Sequence, residues 1–378
     1  MHSVSKEDIH EVNKVLRGNK LTQGEKINEF ENAIAKKLDS VYSIVVNSAT
    51  SALHLSCLAL GVKKQDIVWT SPISFVASAN CALYCGAKID FVDINPLTGL
   101  IEVKKLEAKL KNAKENDCLP KVLIPVHLAG SSCDMEVIKN LSKIYGFSII
   151  EDASHAIGGK YKGNYVGNCK YSDITVFSFH PVKIITTGEG GAATTNNKSI
   201  AEKILNMRSH GIEKDPNKFI YPSKGSWDYE QQILGFNYRM TDIQAALGLS
   251  QLKRLDDIVK ERNIQLKFYY KILKDLPITF LETPPNVYSS VHLSIIRLNK
   301  VSPNYYLKIF QGMREQNIGV QLHYKPIYKQ AFFRNFSFKK ELFPGSENYE
   351  SSAISIPLFP GLKRRQQIRV KNSLENLL

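Results

Sequence analysis

Between residues 42 and 152 the chain alternates short β-rich runs with amphipathic helical runs, and little else separates them. That alternation constrains the fold more than any other feature. Tyr42–Val46, Ile67–Thr70, Lys88–Val92, Lys121–Val126 and Ser148–Glu151 read as strands. Ala52–Leu60, Ser74–Tyr84, Leu106–Asn112 and Met135–Tyr145 read as the helices between them, with Gly61, Gly86 and Gly146 as stops. Neighbouring parallel strands need a long crossover, usually a helix, so the pattern predicts an α/β fold: a mostly parallel sheet with helices on both faces. In such sheets ligands bind beyond the carboxyl ends of the strands. Asn47–Thr50, Asp152 and His155 each follow a strand directly and are expected along one edge. Phe75, opening the helix after another strand, is expected beside them.

The stretch Ser172–Gly191, SDITVFSFHPVKIITTGEGG, carries the most distinctive chemistry. A strand-like run, Ile174–Phe179, delivers Ser178; Lys183 follows among Val182, Ile184 and Ile185, and then a glycine turn. Most lysines are solvated cations. One held among apolar residues loses proton affinity and becomes a usable amine nucleophile. Upstream, Asn47–Ser51 lies between a strand and a helix. That geometry is either an ordinary capped helix start or an anion site, in which free amides, the helix dipole and the Thr50 hydroxyl receive a phosphate.

Helices are further expected at Lys6–Leu16, Glu25–Leu38, Lys198–Met207, Asp242–Leu273, Tyr305–Gln316 and from Arg364 onward; strands at Val291–Leu298, Val320–Tyr324 and Ala353–Ile356. Residues 215–229, with two prolines and a tryptophan, read as a loop or flap. The reading gives two domains, a large one over 1–250 with an N-terminal helical arm and a small α+β one over 251–378. Lys+Arg 50 against Asp+Glu 36 leaves a net charge of +14. The basic residues are scattered and no nucleic-acid motif accompanies them, so nucleic acid is not expected as a partner. No run is long enough to cross a membrane, and the six cysteines show no Cys-x-x-Cys spacing. A metal site is not expected, and a reducing, cytoplasmic setting is.

An amine, a carboxylate at a strand end, a phosphate cradle and an aromatic are what pyridoxal phosphate requires. Its aldehyde joins a lysine, its phosphate wants amides and hydroxyls, and its ring nitrogen wants a carboxylate. The segments NSATSALHL (47–55), SPISFVASAN (71–80), EDASHAIGG (151–159), FSFHPVKIITTGEGG (177–191), RSHG (208–211), GFNYRMTDIQAALG (235–248) and VQLHYKPIY (320–328) span nearly the whole chain. By them the chain resembles the sugar aminotransferases of the DegT/DnrJ/EryC1/StrS family, which have the fold-type I (aspartate aminotransferase-like) architecture. Within it, TSPISF, KIITTGEGG and HYKPIY are most similar to members of the pseudaminic-acid pathway.

The resemblance implies a role for each residue. Lys183 would bind the cofactor's aldehyde and shuttle the proton. Asp152 would meet the pyridine nitrogen, Phe75 would stack on the ring, and His155 would lie near its phenolic oxygen. Ala49, Thr50 and Ser178 would hold the phosphate, and Asn237 would reach the cofactor phosphate of a second subunit in a homodimer. Asn19, Lys20, Leu21, Thr22, His323 and Tyr324 would touch the substrate. The implied reaction moves an amino group from glutamate to C4 of a UDP-linked 4-keto-6-deoxy-N-acetyl sugar; other nucleotide-linked 4-keto sugars are the alternative. Dehydratases of this fold carry histidine at the lysine position, so Lys183 argues against that activity. A non-catalytic regulator would have no use for Lys183 and Asp152 together.

Overall fold

A computed structural model describes residues 3–300 and 302–378. Its main sheet has seven strands: β1 (Tyr42–Val46), β2 (Ile67–Thr70), β3 (Lys88–Phe91), β4 (Val122–Ile124), β5 (Ser148–Asp152), β6 (Ile174–Ser178) and β7 (Gly191–Thr195). They lie in the order β1-β7-β6-β5-β4-β2-β3. The run from β3 through β6 is parallel. Strand β7 runs antiparallel to both β6 and β1.

The sequence pattern missed β7, because its Gly-Ala-Ala-Thr-Thr has neither alternation nor bulk. Its direction has a simple cause. The link from Ser178 to Gly191 carries no helix, so the chain returns alongside β6 rather than crossing over. Every residue of β6 is buried. Ile174 and Val176 face one core, and Phe177 faces the other, as expected for a strand covered on both sides.

The helices are α1 (Lys6–Leu16), α2 (Glu25–Leu38), α3 (Ala49–Ala59), α4 (Ala77–Tyr84), α5 (Val103–Glu115), α6 (Met135–Tyr145), α7 (Lys198–Arg208), α8 (Asp242–Leu252), α9 (Leu255–Ile272), α10 (Pro303–Glu315), α11 (Pro344–Glu350) and α12 (Arg364–Leu377). A second, antiparallel sheet, β8 (Ile278–Phe280), β9 (Ser294–Leu298) and β10 (Ala353–Ile356), packs with α10 and α12 around Ile296, Met313, Ile354 and Leu374. Helix α9 joins the two regions. Its Ile258 and Val259 sit in the core beside β6, and its Tyr269 sits in the core of the second sheet.

Three expectations change. The single helix Asp242–Leu273 is two helices, broken at Lys253-Arg254. Leu249, Leu252, Leu255 and Ile258 all pack into one core at a spacing of three. A continuous helix would carry such a row around its axis, and the break resets it. Val320–Tyr324 is not a strand. It makes one bridge, Gln321 to Ser355. The ladder then stops, because the Leu322 amide donates to the Gln321 side chain and the His323 carbonyl accepts from the Tyr349 hydroxyl. The helix after β2 begins at Ala77 rather than Ser74, which leaves Ser74 and Phe75 in the preceding turn. The expectation of a loop over 215–229 holds: it closes a hairpin, Ile212–Glu213 paired with Glu230–Gln231, and keeps Tyr221 and Trp227 in solvent.

Candidate active site

One cavity of about 480 Å³ opens at the carboxyl ends of the parallel strands. Its lining includes Ala49, Thr50, Phe75, Asp152, His155, Ser178, Lys183, His323 and Tyr324. Nine side chains drawn from segments spread across the sequence therefore meet where the strand order predicts a ligand.

At one end is the start of α3. Ser48 caps the helix, and its hydroxyl accepts the Ser51 amide at 3.1 Å. The Ala49 and Thr50 amides precede the first residue that can find an intrahelical acceptor, so they remain for an anion at the positive end of the helix dipole. Gly191 lets β7 come this close, since a Cβ there would lie 2.5 Å from the Ala49 nitrogen. Ser178, at the end of β6, lines the same cavity.

Asp152, which also lines the cavity, is the last residue of β5 and 5% exposed. Its Oδ1 accepts the Ser154 amide at 3.1 Å and the Ser154 hydroxyl at 2.6 Å. Its Oδ2 accepts the Ser78 hydroxyl at 2.6 Å. No lysine, arginine or histidine lies within ion-pair distance of it among the described residues.

Lys183 sits in the turn after β6. Buried Ile184 and Ile185 anchor the turn in the core, and the Thr186 hydroxyl and Thr187 amide both donate to the Phe179 carbonyl. Val182 is not part of that apolar collar. It is 56% exposed at the cavity mouth. Burial still pushes the Lys183 amine from its ordinary 10.5 down to about 8, against the opposing pull of the Asp152 charge.

His155 has a defined tautomer. Its Nδ1 accepts the Ala129 amide at 3.3 Å, so the ring proton is on Nε2 and is donated to the Tyr324 hydroxyl at 3.1 Å. Burial first, and the Lys183 charge second, hold His155 well below the usual histidine range, so the ring is neutral. Tyr324 thus spends a lone pair on His155 and keeps its own proton for the cavity; burial drives that phenol well above its ordinary pKa. Phe75 leans toward Tyr324 with ring centroids 6.3 Å apart, and it is 58% exposed.

Beneath this layer His127 donates from Nε2 to Glu151 at 2.7 Å and takes the Cys133 amide on Nδ1. Glu151 also receives the Ser172 and Thr175 hydroxyls. The His127 amide in turn donates to the Asp152 carbonyl, which fixes the end of β5.

Asn19, Lys20, Leu21, Thr22 and Asn237 do not line this cavity. The Leu21 carbonyl accepts the Asp242 amide, and Thr22 bridges Thr241. The Asn237 carbonyl lies by the Asn47 side chain, with the Asn237 side chain exposed. Leu21 and Thr22 therefore lie against Thr241 and Asp242, a few positions after Asn237. The sequence reading also passed over Ser74, Ser78, Ser154, His180 and Glu189. Ser74, Ser154, His180 and Glu189 line the cavity, and Ser78 backs Asp152. Two hydroxyls four apart at a helix start, Ser74 and Ser78, were the available signal. His292, its ring centroid 4.3 Å from that of His155 with the planes tilted by 47°, had none.

Comparison with known proteins settles the family. The profile of the DegT/DnrJ/EryC1/StrS aminotransferase family matches residues 2–375. The chain belongs to this family. A Campylobacter jejuni member named UDP-4-amino-4,6-dideoxy-N-acetyl-beta-L-altrosamine transaminase is 40% identical over 380 residues, covering 100% of this chain and 96% of that protein. Helicobacter pylori PseC, described as an aminotransferase involved in the biosynthesis of pseudoaminic acid, superposes with a TM-score of 0.89 at 32% identity, covering 100% and 97%. The putative sugar aminotransferase Spr1654 of Streptococcus pneumoniae superposes at 0.90 with 28% identity and the same coverage, and is solved in both PLP and PMP forms.

This family member is a sugar aminotransferase whose cofactor is pyridoxal phosphate. The donor set fits that group: free amides and a hydroxyl for its phosphate, a buried carboxylate with no cation at ion-pair distance among the described residues for its ring nitrogen, and an amine of lowered proton affinity for its aldehyde. No helix among the described residues is long and apolar enough to cross a membrane. None of their histidines, cysteines and carboxylates gather as a metal site.

Proposed function

We propose that the chain transfers the amino group of glutamate to C4 of a UDP-linked 4-keto-6-deoxy-N-acetyl sugar, UDP-2-acetamido-2,6-dideoxy-β-L-arabino-hexos-4-ulose, in pseudaminic-acid biosynthesis in the cytoplasm. The observation that carries the reading is the convergence of Lys183, Asp152 and the α3 amides on one cavity. The names of the Campylobacter and Helicobacter relatives support the sugar.

Each residue has one task. The Ala49 and Thr50 amides with the Ser178 hydroxyl hold the cofactor's phosphate, and Phe75 covers its ring. Asp152 accepts the hydrogen bond of the protonated ring nitrogen. Bound there, pyridoxal phosphate stores the amino group between the two half-reactions and draws electrons from the carbon that loses a proton. Lys183 moves that proton: freed as a neutral amine, it takes it from one carbon and returns it to the next, first with glutamate and then in reverse with the keto-sugar. Asn19–Thr22, His323 and Tyr324 meet the nucleotide sugar, and the net positive charge of the chain suits its diphosphate.

Asn19–Thr22 and Asn237 share a surface away from their own cavity, which suits a homodimer in which a second copy supplies Asn237 to the phosphate. We place the boundary between the cofactor-binding and small domains at residue 250.

A panel of UDP- and dTDP-linked 4-keto sugars, assayed with glutamate and with the product's C4 configuration read by NMR, tests the substrate. Preference for a dTDP-linked or D-configured sugar refutes this assignment while leaving the transaminase intact. Lys183→Ala removes the visible absorbance of the holoprotein together with turnover; a mutant that keeps both refutes the role of Lys183.

A further inference from the structure

The geometry points to Ser78, backed by Ser74, as a positioning pair that keeps the proton shared by Asp152 and the cofactor on the cofactor's ring nitrogen. The inference rests on the reading that Asp152 meets that nitrogen.

Ser78 is fully buried on α4, and its Oγ lies 2.6 Å from Asp152 Oδ2 and 2.6 Å from Ser74 Oγ. A hydroxyl has one proton to give. The carboxylate can only accept, so Ser78 donates to Asp152 and must accept from Ser74. The direction of both bonds is therefore fixed, Ser74 to Ser78 to Asp152. Each link polarises the next, and the chain runs toward the charge.

Among the described residues Asp152 is otherwise held only by Ser154, on its other oxygen. A buried carboxylate with no cation at ion-pair distance depends on such donors for its charge and its aim. Donated hydrogen bonds hold electron density on the carboxylate oxygens, so a proton lying between carboxylate and ring stays on the ring. Take Ser78 away and Oδ2 loses its one protein donor, Ser74 loses its acceptor, and the proton moves toward Asp152. The ring then draws electrons less well, and turnover falls.

The sequence places this relay economically. Ser74 sits in the turn ahead of α4 and Ser78 in its first turn, and that turn brings the two hydroxyls to 2.6 Å. A residue that only filled space here would be alanine, whose helix propensity is higher.

The test uses holoprotein reconstituted with pyridoxal phosphate labelled with ¹⁵N at the ring position. In wild type the ¹⁵N shift at pH 7.5 has the value of a protonated ring. Ser78→Ala moves it part of the way to the unprotonated value and lowers kcat about tenfold, with KM for both substrates within about twofold. Ser78→Thr keeps the wild-type shift, and Ser74→Ala gives a smaller movement in the same direction. An unchanged ¹⁵N shift in folded Ser78→Ala overturns the inference, even if its melting temperature falls, because that pattern belongs to packing alone. Asp152→Asn separates the two levels: if it leaves the ¹⁵N shift untouched, the assignment of Asp152 fails first.

Discussion

The Lys183 amine, lowered from 10.5 to about 8, makes a quantitative prediction. At pH 7 a lysine at 10.5 is neutral in roughly 0.03% of molecules, and one at 8 in roughly 9%, a gain of about 300-fold in nucleophile. Burial is the larger cause, and the Asp152 charge works against it. Competitive labelling of the cofactor-free protein with an amine-selective acylating reagent, read by mass spectrometry across pH 6 to 11, should give Lys183 a midpoint near 8. Asp152→Asn removes the opposing charge, so its midpoint should fall below the wild-type value. The same shift has a stability counterpart. A lysine whose folded pKa lies below its unfolded one weakens the fold wherever the unfolded chain carries the charge and the folded chain resists it. Cofactor-free Lys183→Met should therefore be more stable than cofactor-free wild type well below pH 8, by about 3 kcal/mol, with the advantage fading as pH rises from 8 to 10.5. A labelling midpoint at the ordinary lysine value, or one indifferent to Asp152→Asn, would refute the claim that the fold prepares this amine.

Other perturbations test neighbouring parts. Glu151→Gln should cost about 3 kcal/mol at pH 7 by urea unfolding, because a buried carboxylate holding three donors is lost beneath the site. Burial opposes the Glu151 charge, yet His127 and the two hydroxyls outweigh it and lower its pKa below 4.5; the difference between mutant and wild type should thus be full above pH 4.5 and shrink as pH falls through the lowered value. Gly191→Ala should weaken cofactor binding, measured by equilibrium dialysis, by tenfold or more. Its Cβ would meet the Ser48 and Ala49 backbone at 2.5 to 2.8 Å and push the first turn of α3 away. Tyr324→Phe leaves the His155 Nε2–H without its acceptor and removes the one phenol proton offered to the cavity; kcat should fall at least tenfold, with a loss of about 1–2 kcal/mol in stability.

How much of this could be read from the chain varies with the physical distance over which each signal acts. The strands β1 to β6 were legible because each is a short apolar run bounded by a helix period and a stop, all of it local. So were Asp152 and the α3 turn, since a parallel strand's end is a predictable address. Strand β7 was not, because five small residues become a strand only through partners on both sides. The break after Leu252 was hidden for a similar reason: three-residue spacing of leucines conflicts with a continuous helix only once all of them must face the same core. Ser78 carries only one faint mark in the sequence, its spacing of four from Ser74, because its meaning comes from a carboxylate seventy-four positions away.

The same distance argument orders the site itself. Groups that act by their backbone, the Ala49 and Thr50 amides, depend only on where β1 ends and α3 begins. Groups that act by charge, Lys183 and Asp152, also need neighbours around them, and these come from three separate segments: Ile184-Ile185 after β6, Ser154 after β5 and Ser78 on α4. Tyr324 needs one more, since its free proton exists only because Ala129 fixes the His155 tautomer from the loop after β4. Substitutions should follow this ranking. Those at the backbone cradle change cofactor affinity, those around Lys183 and Asp152 change pH profiles at constant affinity, and those at Ala129, His155 or Tyr324 change kcat for the sugar half-reaction. A set of variants in which the three readouts moved together would show that the site responds as one packed unit rather than as three nested layers.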